Sequence, residues 1–315
     1  MSFFDISEMG PRDLLYRAIG SIDVQEQVRM SGLTSFRIGG PADYVVAPDS
    51  VKEVVKALHV LNEQGIPYIV IGRGTNLLVS DEGFRGAVIR IGGTYLQHVE
   101  FKGTTMICEA GLPLLSIAKT AMRHGLAGME FAAGIPGSLG GGIFMNAGAY
   151  GGELSQIVKD VTVVDINGKI RTIPGSELGF GYRSSILQSK SWIIVSATLQ
   201  LKEDDPKAIE ARMEELAQAR KDKQPLDLPS AGSAFKRPEG HFAGALIEQA
   251  GLKGYQIGGA QVSTKHAGFI VNQGGATCKD VLELIRYIQK TVSDKFGVRL
   301  EPEIRYLSPY GLDRI

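Results

Sequence analysis

Glycine constrains this chain more than any other residue type. Forty of the 315 residues are glycine, about 13% against a usual ~7%. They are unevenly spread, and residues 72–152 hold 18 of them. A residue without a Cβ lets backbone pack against backbone or against a ligand. No Gly-X-Y period runs through the chain, which excludes a collagen-like fold. A hydrophobic content of 43% excludes a mostly disordered chain. The glycine-dense middle is therefore expected to be folded, with bare backbone brought close to something. The length suggests two domains and suffices for cores without staples.

Charge and cysteine usage narrow the function classes. Lys+Arg and Asp+Glu both number 34, so there is no basic excess for nucleic-acid binding. Cys108 and Cys278 form no CxxC, and the five histidines show no ligand spacing, so neither a disulfide framework nor a metal site is expected. His59 and His124 read as structural, whereas His241 and His266 lie in glycine-rich C-terminal loops where they could meet substrate. The N-terminus lacks a signal-peptide layout, and no apolar run approaches the ~20 residues of a membrane helix. A soluble, cytoplasmic protein without membrane insertion is expected.

The periodicities place the elements. Residues 1–33 read as a partly helical leader, with Pro11 in a first turn before Leu14, Leu15, Ala18 and Ile19. Strands are expected at 44–46, 68–71, 87–91, 106–110 and 193–201, and a final one at 298–307. Ser50 and Glu53 read as a capping box before Val51, Val54, Val55, Leu58 and Leu61. A helix over 113–124 is expected to bury Leu115, Ala118 and Met122. Asn167-Gly168 reads as a tight primed turn between strands. Residues 134–152, with eight glycines in nineteen positions, read as one long loop around a large flat ligand. Asp204-Asp205-Pro206 opens a charged helix to Lys223, helices follow at 243–249 and after Thr277, and 268–272 reads as a strand.

Five segments can carry chemistry. Gly72-Arg73-Gly74-Thr75-Asn76-Leu77 follows a strand and can form an anion-binding nest of amides, or merely a tight turn. The 134–152 loop is the second. In Gly181-Tyr182-Arg183-Ser184-Ser185, Arg183 either fixes a carboxylate or phosphate bidentately or lies on the surface. Ser233 precedes Lys236 and Arg237, cations that suit a phosphate-bearing substrate, yet on spacing alone it is a turn serine. Glu303 and Arg305 share one face of an extended segment, as a surface ion pair or facing a site.

In their joint order, TSFRIGGPADY (34–44), GRGTNLL (72–78), GIPGSLGGGIFMNAGAYGGE (134–153), GYRSS (181–185), AGSAFKRP (231–238), STKHAGFIVN (263–272) and EPEIRYL (301–307) resemble the UDP-N-acetylenolpyruvoylglucosamine reductase family, the MurB flavoenzymes. The resemblance implies an α+β chain with an FAD-binding fold of the vanillyl-alcohol-oxidase (PCMH) type in two subdomains, followed by a C-terminal α+β substrate-binding domain. The expected limits are a helical leader over 1–33, the FAD-binding domain over 34–202 and the substrate-binding domain over 203–315.

The same resemblance implies a bacterial cytoplasmic oxidoreductase of peptidoglycan precursor synthesis, serving cell-wall biogenesis, cell shape and division. It would use noncovalent FAD, NADPH as co-substrate and a UDP-sugar substrate, and no nucleic-acid partner. It assigns Ser233 as proton donor, Glu303 as active-site carboxylate and Arg183 as active-site arginine. It assigns Gly72, Arg73, Gly74, Thr75, Asn76 and Leu77 to the FAD pyrophosphate. Gly134, Ile135, Pro136, Gly137, Ser138, Asn146, Gly148 and Arg305 would meet the flavin. Tyr182, Lys223, Lys236 and Arg237 would meet the UDP-sugar. No Tyr occurs between Arg183 and Ser233, so the chain resembles the compact branch that lacks a Tyr-bearing lid loop. The competing readings are an oxidase of the same flavin fold and a non-catalytic binding module; the AGSAFKRP and EPEIRYL segments and the presence of Ser233 and Glu303 speak against them.

Overall fold

Helices form where apolar spacing and caps coincide. The structure, a computed structural model, describes residues 9–19, 24–93 and 96–315. Helix α1 (Pro11–Ile19) buries Leu15 and Ile19, and the rest of the expected leader over 1–8 and 20–23 lies outside the described residues. Helix α2 (Val51–Glu63) is capped by Ser50, whose Oγ accepts from the Glu53 amide at 3.4 Å, while the Glu53 carboxylate accepts from the Asp49 amide at 2.9 Å. Helix α3 (Leu114–Arg123) turns a different face inward than expected: Leu114, Ile117, Ala118 and Ala121 are buried and Leu115 is exposed.

The 134–152 segment is not one loop. It contains a short helix α4 (Leu139–Phe144) and then two small paired strands, Gly148–Ala149 and Gly152–Glu153. Helix α5 (Pro206–Lys223), α6 (Ala243–Gln249) and α7 (Cys278–Phe296) stand where expected. Thr277 and Asp280 make a full capping box on α7, and Gly297 ends it with φ +67. Beyond it the chain pairs as a strand only from Arg305, to Ser308, later than expected. Pro302 cannot donate to a ladder, and it makes a single isolated bridge to Phe235.

By internal packing the chain divides into two units: 1–28 with 42–73 and 86–216, and 29–41 with 74–85 and 217–315. These limits differ from the expected 34–202 and 203–315, because two short N-terminal segments join the C-terminal part and the break falls inside α5. The first unit holds most of a four-stranded sheet ordered Val24–Arg29, Pro41–Val46, Phe84–Arg90, Tyr68–Ile71. It also holds a five-stranded sheet ordered Ile170–Pro174, Val158–Val164, Ile193–Gln200, Thr105–Glu109, Val99–Lys102. The latter is antiparallel at every pairing. The second unit has a four-stranded sheet ordered Ser230–Ser233, Phe269–Asn272, Ala260–Val262, Gln256–Ile257. In its three-stranded sheet, Arg305–Ser308 lies between Gly311–Asp313 and Leu77–Val79. Each unit has its own apolar core, one around Leu58, Met106, Ile117 and Val163, the other around Phe36, Leu78, Ile270 and the buried stripe of α7.

The turn at 165–169 is longer than a two-residue primed turn. The Gly168 amide donates to the Asp165 carbonyl at 2.9 Å, and Gly168 has φ +77 whereas Asn167 keeps a negative φ. Asp165 organises it, accepting from the Asn167 and Lys169 amides at 3.0 Å each and from Arg171 Nε at 2.9 Å. Burial pushes the Asp165 carboxyl up, but these three donors outweigh it and hold it below the ordinary 3.8. A depressed carboxylate stabilises the fold fully above its unfolded value and loses that contribution as pH falls through its folded value. Asp165→Asn is therefore expected to lose stability at neutral pH and to show a shallower acid decline below 3.8 than the wild type, as read by melting temperature against pH.

Candidate active site

The Tyr68–Ile71 strand delivers Gly72 to a position with no room for a side chain. A Cβ there would lie 2.1 Å from the Ser138 Oγ. Ser138 is buried and accepts from the Gly141 amide at 3.5 Å as the cap of α4. Arg73 Nε donates to the Pro136 carbonyl at 3.0 Å. Gly72, Arg73, Pro136 and Ser138 are thus brought together in the first unit. The Leu114 amide donates to Gly137 and the Leu139 amide to Leu112, which pins the second segment beside α3. Among the described residues, no backbone carbonyl accepts from the amides of Arg73, Gly137 or Ser138.

Further along the same unit, Asn146 is fully buried with φ +44. Its Nδ2 donates to Gly181 O at 3.0 Å, and its Oδ1 accepts from the Ser155 amide at 3.0 Å. Gly181 and Ser184 exchange backbone bonds at 3.0 and 3.1 Å, a tight turn that carries Tyr182 and Arg183. Arg183 sits at φ +53, its Nη2 donates to Gly148 O at 3.2 Å, and its guanidinium lies 5.1 Å from the Tyr182 ring centroid. Ser185 Oγ and Gln188 Nε2 both donate to the Phe144 carbonyl at the end of α4. Asn146, Gly148 and Arg183 therefore form one hydrogen-bonded cluster. The glycines here mostly face protein: a Cβ on Gly142 would be 2.9 Å from Leu154, and one on Gly152 2.6 Å from the Phe131 ring. That corrects the expectation that this whole stretch bares its backbone to a ligand.

In the second unit, Gly74 (φ +62) carries a carbonyl that accepts from the Ser35 amide at 3.1 Å. The amides of Gly74, Thr75 and Asn76 likewise meet no backbone carbonyl among the described residues. Asn76 Nδ2 donates to Glu303 O at 3.2 Å, and the Arg305 amide donates back to Asn76 O at 3.0 Å. Arg305 pairs with Leu77 across a parallel ladder, and burial pulls its guanidinium pKa below the ordinary value. The Glu303 amide donates to Ala234 O at 2.9 Å and the Lys236 amide to Glu301 O at 2.8 Å. The segment of Ser233 and the segment of Glu303 are therefore neighbours, with Asn76 alongside.

The other assigned residues either have protein partners or lie exposed. Lys236 Nζ is 2.5 Å from Glu301 Oε1. The Arg237 guanidinium lies 4.1 Å from the Phe242 ring centroid. Lys223 ends α5 and is exposed. Ser35 is not among the residues singled out from the sequence, although it lies in TSFRIGGPADY: its Oγ donates to Ser230 O at 2.6 Å while its amide holds Gly74. It links the strand of Ser233 to the glycine loop. Cys108 and Cys278 are buried and free, and burial pushes both thiols up to about 12, so neither supplies a thiolate near neutral pH.

Amides beside glycines that meet no backbone carbonyl suit a pyrophosphate, and a polar cluster around an arginine suits a carboxylate. The residues present are therefore chemically suited to FAD. No helix among the described residues is long and apolar enough to cross a membrane.

Known proteins agree with this reading. Residues 42–174 match the FAD binding domain family, and residues 224–307 match the C-terminal domain of UDP-N-acetylenolpyruvoylglucosamine reductase. A UDP-N-acetylenolpyruvoylglucosamine reductase of Caldanaerobacter subterraneus is 54% identical over 272 residues, 86% of this chain and 89% of that one. That of Clostridium novyi is 47% identical over 90% of this chain and 92% of its own. The crystal structure of the Thermus caldophilus reductase (MurB) superposes with a TM-score of 0.78 at 39% identity, covering 89% of this chain and 98% of that one. The expected α+β fold with an FAD-binding part and a C-terminal reductase domain stands, and the chain belongs to the UDP-N-acetylenolpyruvoylglucosamine reductase family.

Proposed function

We propose that this chain is an NADPH-dependent, FAD-containing reductase that converts the enolpyruvyl group of UDP-N-acetylglucosamine enolpyruvate to the lactyl group of UDP-N-acetylmuramate, in peptidoglycan precursor synthesis. The observation that carries it is 54% identity across 89% of a reductase of that name. The work would take place in the cytoplasm of a bacterium and serve cell-wall growth and division. Residues 42–174 would hold FAD and residues 224–307 the UDP-sugar, in keeping with the two family matches.

When bound, FAD supplies hydride chemistry, taking hydride from NADPH and giving it to the substrate double bond. The chain's own residues handle charge and proton. Hydride addition at the terminal carbon leaves negative charge on the carbon that bears the carboxylate. The Arg183 guanidinium and a protonated Glu303 carboxyl are the groups suited to stabilise it. Ser233 Oγ–H is the proton donor to that carbon, and as a weak acid it must be helped by its neighbours. The amides of Gly74, Thr75 and Asn76 would hold the pyrophosphate, and Lys223 and Arg237 the UDP moiety.

Purified protein is expected to be yellow and to bleach on mixing with NADPH; a colourless protein that takes up no FAD would overturn the assignment. Ser233→Ala should leave NADPH bleaching within about twofold of wild type and slow recovery of colour with the enolpyruvyl substrate by roughly 10²–10⁴-fold, in stopped-flow absorbance. Equal slowing of both steps would make Ser233 a structural residue. Glu303→Gln should slow the same second step by about 10²-fold, and unchanged turnover would reject its role.

A further inference from the structure

We propose that His266 is a positioning residue for Ser233, acting through the backbone of Gly268. The proposal rests on the reading of Ser233 as proton donor. The His266 Nδ1 accepts from the Gly268 amide at 3.0 Å. The carbonyl of the same Gly268 accepts from the amide of Ala234, next to Ser233, at 2.8 Å. Ser233 itself faces Phe269 across the antiparallel pair, where the strand carries a bulge. The ring therefore fixes one residue whose two backbone groups address His266 on one side and the serine strand on the other.

The ring has little freedom. Phe269 meets it edge-on at 5.2 Å and 74°. A Cβ on Gly244 of α6 would come within 3.0 Å of its Cε1, and one on Gly268 within 2.9 Å. Ser263 Oγ accepts from the Lys265 and His266 amides at 3.1 and 3.3 Å, which closes the turn that presents the ring. A backbone amide only donates, so Nδ1 must be bare and the neutral ring carries its hydrogen on Nε2.

Protonation would set a second hydrogen against the Gly268 amide and break the bond. The charged groups acting on the ring are Glu248 of α6, which raises its pKa, and Lys253, which lowers it; they pair with each other at 2.9 Å. Lys265 turns to the Lys221 carbonyl at 2.6 Å. Burial is the largest effect and pulls the imidazole below its ordinary 6.5. The neutral, accepting ring is therefore the resting form near pH 7, and the contact fails on the acid side.

The test uses the FAD-loaded enzyme in stopped-flow between about pH 5 and 8, following colour loss with NADPH and colour recovery with the enolpyruvyl substrate. His266→Asn keeps a neutral acceptor near the Nδ1 position and cannot titrate. It should recover colour within about threefold of wild type at the upper end and lack the acid fall that wild type shows. His266→Leu should recover colour about 10–100-fold more slowly at every pH, with NADPH bleaching unchanged and with faster hydrogen exchange at the Ala234 amide. Wild-type recovery in His266→Leu, or an acid fall kept by His266→Asn, would overturn the proposal. If His266→Leu loses its flavin, Gly244→Ala presses the same ring from α6 and should slow colour recovery alone; wild-type recovery there would overturn the proposal. Ser233→Ala run alongside separates the failures: slow Ser233→Ala with normal His266→Leu removes only the His266 role, whereas normal Ser233→Ala removes the proton-donor reading and this proposal with it.

Discussion

The absence of a side chain at Gly72 is the constraint on which the first unit's site depends. With 2.1 Å between a would-be Cβ and Ser138 Oγ, any other residue would turn that hydroxyl away from the Gly141 amide it caps. The serine cap, the α4 helix, the Phe144 carbonyl that receives Ser185 and Gln188, and the turn carrying Arg183 form one chain of contacts from that point. Overlap at one glycine would be felt four contacts away.

The second unit is held by polar clips as well as by close packing, with a would-be Cβ on Gly83 only 1.7 Å from Pro41 O. Asn76 ties the glycine loop to the Glu303 backbone, Ser35 ties Gly74 to Ser230, and Asp81 accepts from the Cys278 and Lys279 amides at 2.8 and 3.1 Å at the start of α7. Residues 29–41 and 74–85 are distant in sequence from 217–315, yet they supply these clips. A short insertion between Gly74 and Asn76 would therefore reach both candidate catalytic residues of this unit without touching either side chain.

Much of this was legible in the sequence, and the parts that were not have physical causes. Long amphipathic helices with caps, such as α7 with Thr277 and Asp280, stand where spacing puts them. The α3 face was misplaced because Leu114, Leu115, Ile117 and Ala118 offer two adjacent apolar stripes, and only packing chooses between them. Helix α4 was hidden by its own composition: Leu139–Phe144 contains three glycines, which intrinsic propensity counts against a helix. It exists because Ser138 caps it and Gly142 lets Leu154 approach. Ser233, Glu303 and Arg183 are candidates through likeness to a family, not through spacing. Ser35 and Asn76 act through backbone carbonyls, and no pattern of residue types announces that.

Among the described residues of the first unit, five non-glycines hold left-handed backbone, Gln27 and Leu96 as well as Asn146, Tyr150 and Arg183, the last at φ +53. Each such residue costs about 1–2 kcal/mol relative to an ordinary conformation. Glycine at position 183 would relieve that strain while removing the guanidinium. Heat resistance would set that relief against the lost bond to the Gly148 carbonyl, whereas the proposed role of Arg183 would favour keeping it. On the proposed role of Arg183, the turn is where backbone strain and function bear on one residue, and a library sorted by melting point and one sorted by turnover would be expected to diverge there.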